Sequence, residues 1–142
     1  VLAGASSEIE SGIFKVGEKS GVAFQIQDDI LGVYGSAKQI GKSVDSDLIE
    51  GKKTLLVVKA LQLSNTKQKD IFSKYFGNPL ATNIELNKVR QVIKETGAYE
   101  YARNKALHLI RKAQTELSRL PLKNPGKKFL ADLTRFLLDR NF

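Results

Sequence analysis

The sequence has no cysteine, no methionine and a single histidine, and each scarcity narrows the chemistry open to it. Without cysteine there is neither a disulfide nor a thiolate metal site, so a reducing, cytoplasmic setting is expected. His108 stands alone, with no ligand partner at useful spacing, and reads as an ordinary surface or boundary residue of a helix. The longest purely apolar run, Leu55–Val58, falls far short of the roughly 20 residues that cross a bilayer, and no signal peptide or membrane span is visible. Alternation long enough to define a strand is also missing.

Charge of one sign is in excess. The 23 Lys and Arg outnumber 15 Asp and Glu, a formal balance of +8. From Ala98 to Phe142 there are ten basic and four acidic residues, so much of the surplus lies in the C-terminal third. Aromatic and basic residues are not interleaved and no recognition helix is evident, so nucleic acid is not the expected anion. The expected basic surface is a solvated helical one.

The informative stretch is Gly21–Thr54, GVAFQIQDDILGVYGSAKQIGKSVDSDLIEGKKT. At about 100° per residue, Val22, Ile26, Ile30 and Val33 form one apolar stripe of a helix. Gln25, Asp28 and Gly32 fall on a different face, with Asp29 between that face and the stripe. Adjacent carboxylates repel unless a cation sits beside them. Oxygen-only ligands suit Mg²⁺, which takes one or two carboxylates and leaves positions for water and phosphate oxygens. The lysines of Gly41-Lys42 and Gly51-Lys52-Lys53 supply point charges for a phosphate. Together they predict a Mg²⁺–diphosphate site. Two other matches in the loop fail. Five residues separate Gly35 from Gly41 where a P-loop needs four, and Ile49 and Glu50 stand where a calcium loop needs an oxygen ligand and glycine.

The same residues resemble the second aspartate-rich motif of the trans-polyprenyl diphosphate synthases, the farnesyl, geranylgeranyl and longer-chain isoprenyl synthases. Phe24, Gln25, Asp28 and Asp29 match its F-Q-x-x-D-D helix, and Gly41, Lys42, Asp47, Lys52 and Thr54 match the loop that follows. Gly32 departs from it, standing where a third acid is usual. The resemblance implies an all-α helical bundle of the isoprenoid synthase type. It also implies head-to-tail condensation of an allylic prenyl diphosphate with isopentenyl diphosphate, assisted by Mg²⁺. Carried over residue by residue, Asp28 is the main metal ligand and Asp29 a supporting one. Lys42 and Lys52 hold the allylic diphosphate as its leaving charge develops, so that Asp28, Lys42 and Lys52 are the catalytic set. Gln25 borders the cation, Phe24 shapes the isopentenyl side, and Asp47 orders the loop.

Family members carry an earlier D-D-x-x-D motif, whereas Asp28-Asp29 is the only Asp-Asp pair here. With Val1 first and no methionine, the expectation is a C-terminal half that is inactive alone and belongs to a homodimeric enzyme when intact. Alternatives are a non-catalytic partner subunit of a heteromeric synthase, a terpene-cyclase-like bundle and a basic nucleic-acid-binding bundle.

The periodicity predicts a helix ending near Val16, a break at Gly17, the motif helix over about 18–34 and a phosphate loop over 35–53. Further helices are expected over Lys52–Leu63, Thr66–Phe76, Asn83 (as cap) to Gly97 and Ala98–Leu120. A last amphipathic helix is expected to use Phe129, Leu133, Phe136 and Leu137. The expected class is one all-α domain.

Overall fold

The computed structural model describes residues 4–35 and 45–136. All regular structure in those residues is helical: α1 Ser7–Tyr34, α2 Ser46–Ile49, α3 Leu55–Leu63, α4 Thr66–Tyr75, α5 Asn83–Glu95, α6 Ala98–Arg119 and α7 Asn124–Phe136. None of these helices is long and apolar enough to cross a membrane. By their contacts the residues divide into two compact units. One takes residues up to Gln25 together with those from Lys105 onward, and the other is Ile26–Asn104.

The break expected at Gly17 does not occur, and one helix runs from Ser7 to Tyr34. A helical glycine costs about 1 kcal/mol relative to alanine. Burial of Val16, Ala23, Ile26, Ile30 and Val33 along the same helix outweighs that cost. The stripe is also rotated slightly from the expected one: Ala23 is buried, whereas Val22 is exposed.

In the first unit Val16 packs with Ala113, Leu117 and Leu120, flanked by Leu122, Leu130 and Ala131. Gly12 lets α1 approach Leu120, since a Cβ there would come within 3.1 Å of Leu120 Cδ1 and closer still to Cδ2. Lys127 Nζ donates to the carbonyls of Ser118 (2.6 Å) and Leu120 (2.9 Å), satisfying acceptors around the end of α6. The last helix departs from expectation. Phe129, Leu133 and Phe136 are exposed and Thr134 is the buried residue of α7, while Leu137 lies outside the described residues.

The second unit buries Leu56, Val57, Phe72, Leu86, Val89 and Ile93. Its helices start on polar caps. Thr54 Oγ1 accepts from Val57 N, so α3 begins at Leu55 and not at Lys52. Asn65 with Gln68, and Thr82 with Glu85, form reciprocal capping boxes on α4 and α5. The cap of α5 is therefore Thr82, one residue before the expected Asn83. Phe72 and Phe76 meet edge to face at 5.8 Å, a packing contact.

Candidate functional site

The second unit carries the acid pair on the last turns of α1. Asp28 is exposed and Asp29 half-buried, so the pair offers one open and one partly shielded carboxylate. Phe24 (half-buried) and Gln25 (exposed) precede them on α1 and belong to the first unit.

The segment expected to be a phosphate loop over 35–53 contains one helical turn, α2. That turn is fixed from several sides. Leu48 is fully buried, and its carbonyl accepts from Gly51 N (3.3 Å) and Gly77 N (2.8 Å). Gly51 and Gly77 both have φ near +70° (67° and 74°), a region that favours glycine. A Cβ on Gly51 would also come within 3.1 Å of Gly77 Cα, so the backbones touch where no side chain fits. Before α2, Asp45 pairs with Arg90 of α5. Arg90 Nε also donates to the Val33 carbonyl (2.7 Å) and Nη1 to Asn87 Oδ1 (2.9 Å), while the Tyr34 hydroxyl donates to the Arg90 carbonyl (2.8 Å). One arginine thus ties the end of α1 to the start of α2. Burial pushes the Tyr34 phenol far above its usual range, with Tyr99 edge-on at 5.1 Å.

This anchoring delivers Asp47 to the motif helix. Its Oδ1 accepts from Lys52 Nζ, and its Oδ2 faces the α-carbon of Gly32. Glu50 lies 3.5 Å from the same ammonium. The hydrogen bond to Asp47 holds Lys52 above the ordinary lysine range. Gly32 follows Asp28 by one helical turn, about 6 Å along the axis. So Lys52 is paired with a carboxylate whose other oxygen meets α1 at Gly32, one turn beyond Asp28. Lys42 and Gly41 lie outside the described residues.

Among the described residues, no group of three or more His, Cys, Asp or Glu side chains is arranged to hold a metal. Two adjacent carboxylates with one exposed still suit Mg²⁺, whose remaining positions go to water and phosphate. They do not suit a closed structural zinc site, which takes four ligands, mostly Cys and His. His108 is exposed on α6, as expected.

Arg90 and Asp45 are the parts of this arrangement that the sequence reading missed. A signal for Arg90 exists: it follows Leu86 by four and precedes Ile93 by three, a cation at the edge of a buried stripe. Nothing local marks its partners, which are far away in sequence.

A family model described as Polyprenyl synthetase matches residues 1–95, two thirds of the chain. The chain belongs to that family. Among curated polyprenyl synthetases, the geranylfarnesyl diphosphate synthase of Aeropyrum pernix is 40% identical over 134 residues, 94% of this chain and 41% of that protein. The geranylgeranyl diphosphate synthase of Sulfolobus acidocaldarius is 39% identical over 138 residues, 94% of this chain and 42% of that protein. The chain thus spans about two fifths of the length of the curated relatives it matches. The solved geranylgeranyl pyrophosphate synthetase of Pyrococcus horikoshii superposes with a TM-score of 0.86 at 32% identity, covering 96% of this chain and 41% of that one. The geranylgeranyl pyrophosphate synthase of Corynebacterium glutamicum, complexed with isoprenyl diphosphate and magnesium, gives 0.92 at 25% identity, covering 99% and 40%. The helical bundle expected of an isoprenoid synthase is therefore the fold found.

Proposed function

We infer that this chain supplies the second acidic half of a prenyl-transfer site, in an enzyme that joins an allylic prenyl diphosphate to isopentenyl diphosphate. The observation that carries the reading is the Asp28–Asp29 pair on α1, followed one turn later by Gly32, against which Asp47 lies while pairing with the Lys52 ammonium. Membership of the polyprenyl synthetase family and the magnesium- and isoprenyl-diphosphate-bound relative support it.

Asp28 and Asp29 would hold Mg²⁺, which, when bound, supplies concentrated positive charge to the diphosphate leaving group. Lys52 adds a fixed cation on the same group, and Lys42 is assigned the same role. As the allylic carbon–oxygen bond breaks, the electron pair goes to the diphosphate, and pre-oriented cations stabilise that charge better than mobile water does. Gln25 would border the allylic cation and Phe24 the isopentenyl side. In the intact protein the other acidic motif and a homodimeric partner complete the assembly. Exposed Phe14, Phe129 and Phe136 suit burial there.

The test is turnover of allylic and isopentenyl diphosphates with Mg²⁺. In the intact protein, Asp28→Asn and Lys52→Ala each lower kcat/KM by about a hundredfold or more, the scale of losing an electrostatic group from the transition state. The 142-residue chain alone shows no turnover. Unchanged kinetics in both variants would overturn the residue assignments, and turnover by the chain alone would show that it holds a complete site.

A further inference from the structure

The helical position where a third acid is usual is glycine, and the structure shows what fills the space. Gly32 is buried on α1. A Cβ there would come within 2.9 Å of Asp47 Cγ, and closer still to Oδ2. Real side chains do not approach so closely, and Asp47 has little freedom to retreat. Its side chain is only 14% exposed, Leu48 beside it is fully buried, and Asp45 just before it is tied to Arg90. The two carboxylate oxygens are also divided between tasks, Oδ1 on Lys52 and Oδ2 against Gly32. A carboxylate therefore does stand beside position 32, but it is delivered by α2 and not by α1.

We propose that Gly32 is a positioning residue: by lacking a side chain it admits the Asp47 carboxylate against α1, and Asp47 in turn fixes the Lys52 ammonium beside the Asp28–Asp29 pair. The idea rests on the prenyl-transfer reading for its kinetic consequence, but not for its geometry. A side chain at 32 therefore requires the Asp47 carboxylate to leave its present place. With Asp47 displaced, Lys52 keeps only the longer contact to exposed Glu50 and returns to the rotamer freedom of a surface lysine. Its charge then spends less time where a diphosphate needs it.

The experiment is a double-mutant cycle in the intact protein with Gly32→Ala, Asp47→Ala and the two combined, read in three ways. First, Gly32→Ala lowers the melting temperature. Adding Asp47→Ala recovers a large part of that loss, because the new methyl then has room. Second, after reductive ¹³C-methylation the Lys52 resonance is displaced from those of exposed lysines, and either single variant moves it back among them. A residue that merely supports the fold would not produce that shift while circular dichroism stays helical. Third, each single variant lowers kcat/KM for the allylic diphosphate by about tenfold, and Gly32→Ala has no further effect in a Lys52→Ala background. If Gly32→Ala leaves the Lys52 resonance and the melting temperature unchanged, the proposal is wrong. Should Gly32→Ala not fold, Asp47→Ala alone still decides: an unmoved Lys52 resonance overturns the proposal. If the parent protein turns over no prenyl diphosphate, the functional reading falls, while the first two measurements still decide the positioning.

Discussion

Helices α5 and α7 have the same length and both start at an asparagine, yet their apolar faces meet opposite fates. On α5, Leu86, Val89, Val92 and Ile93 are fully or almost fully buried. On α7, Phe129 is 66% and Phe136 63% exposed, and the only fully covered side chain is Thr134. Periodicity identifies an apolar stripe equally well in both. Whether anything covers the stripe is a property of the fold around it, and no window of thirteen residues holds that information.

The contrast can be sharpened by mutation. Leu86→Ala on α5 opens a cavity in a fully buried site and should cost about 3 kcal/mol in denaturant unfolding. A cost under about 1 kcal/mol would mean the α5 face is far less tightly packed than described. Thr82→Ala removes one half of the α5 capping box and should cost about 1 kcal/mol.

The other half of that box is charged. Glu85 accepts from the backbone N–H of Thr82 (2.8 Å) and from its hydroxyl (2.8 Å), which holds the carboxyl below its ordinary value of 4.5. A carboxylate whose pKa is lower folded than unfolded stabilises the fold above the ordinary value. That contribution is lost as pH falls through the lowered one. The cost of Glu85→Gln should therefore be present at neutral pH and fade below about pH 4.5. An equal cost at pH 7 and pH 3 would show that charge plays no part in the cap. At the small end, Phe129→Ser on α7 should change unfolding of the 142-residue chain by no more than about 0.5 kcal/mol. It should still reduce self-association in sedimentation velocity, because an exposed phenylalanine is removed. A large destabilisation would erase the difference between the two helices.

Much of the molecule was legible without coordinates where the physics is local. The acid pair on a half-buried helix and the helices expected over Thr66–Phe76 and Ala98–Leu120 all follow from spacing a few residues long. Gly17 misled for a physical reason: its helix penalty is real but small beside the burial on either side of it. The site was half legible. Lys52 could be picked out as a phosphate cation, and the structure pairs it with Asp47, which meets α1 at Gly32. The means of putting it there could not be read, because Asp47 meets Gly32 across the chain and Arg90 grips Val33 and Asp45 from another helix. Such pairings leave no periodic trace. The empty α-carbon at position 32 looked like a missing ligand, and its meaning came only from the carboxylate that fills the gap.

The backbone contact between Gly51 and Gly77 carries a consequence for inheritance. Both residues are confined by their own dihedral angles, and Gly51 again by the α-carbon of Gly77, so Gly51 cannot gain a side chain while Gly77 stays. A mutation just past the end of α4, in a stretch that handles no ligand, would push on the turn preceding Lys52. Selection on the cation should therefore be felt at a distant connector, and lineages that lose one of these glycines should show compensating change at the other.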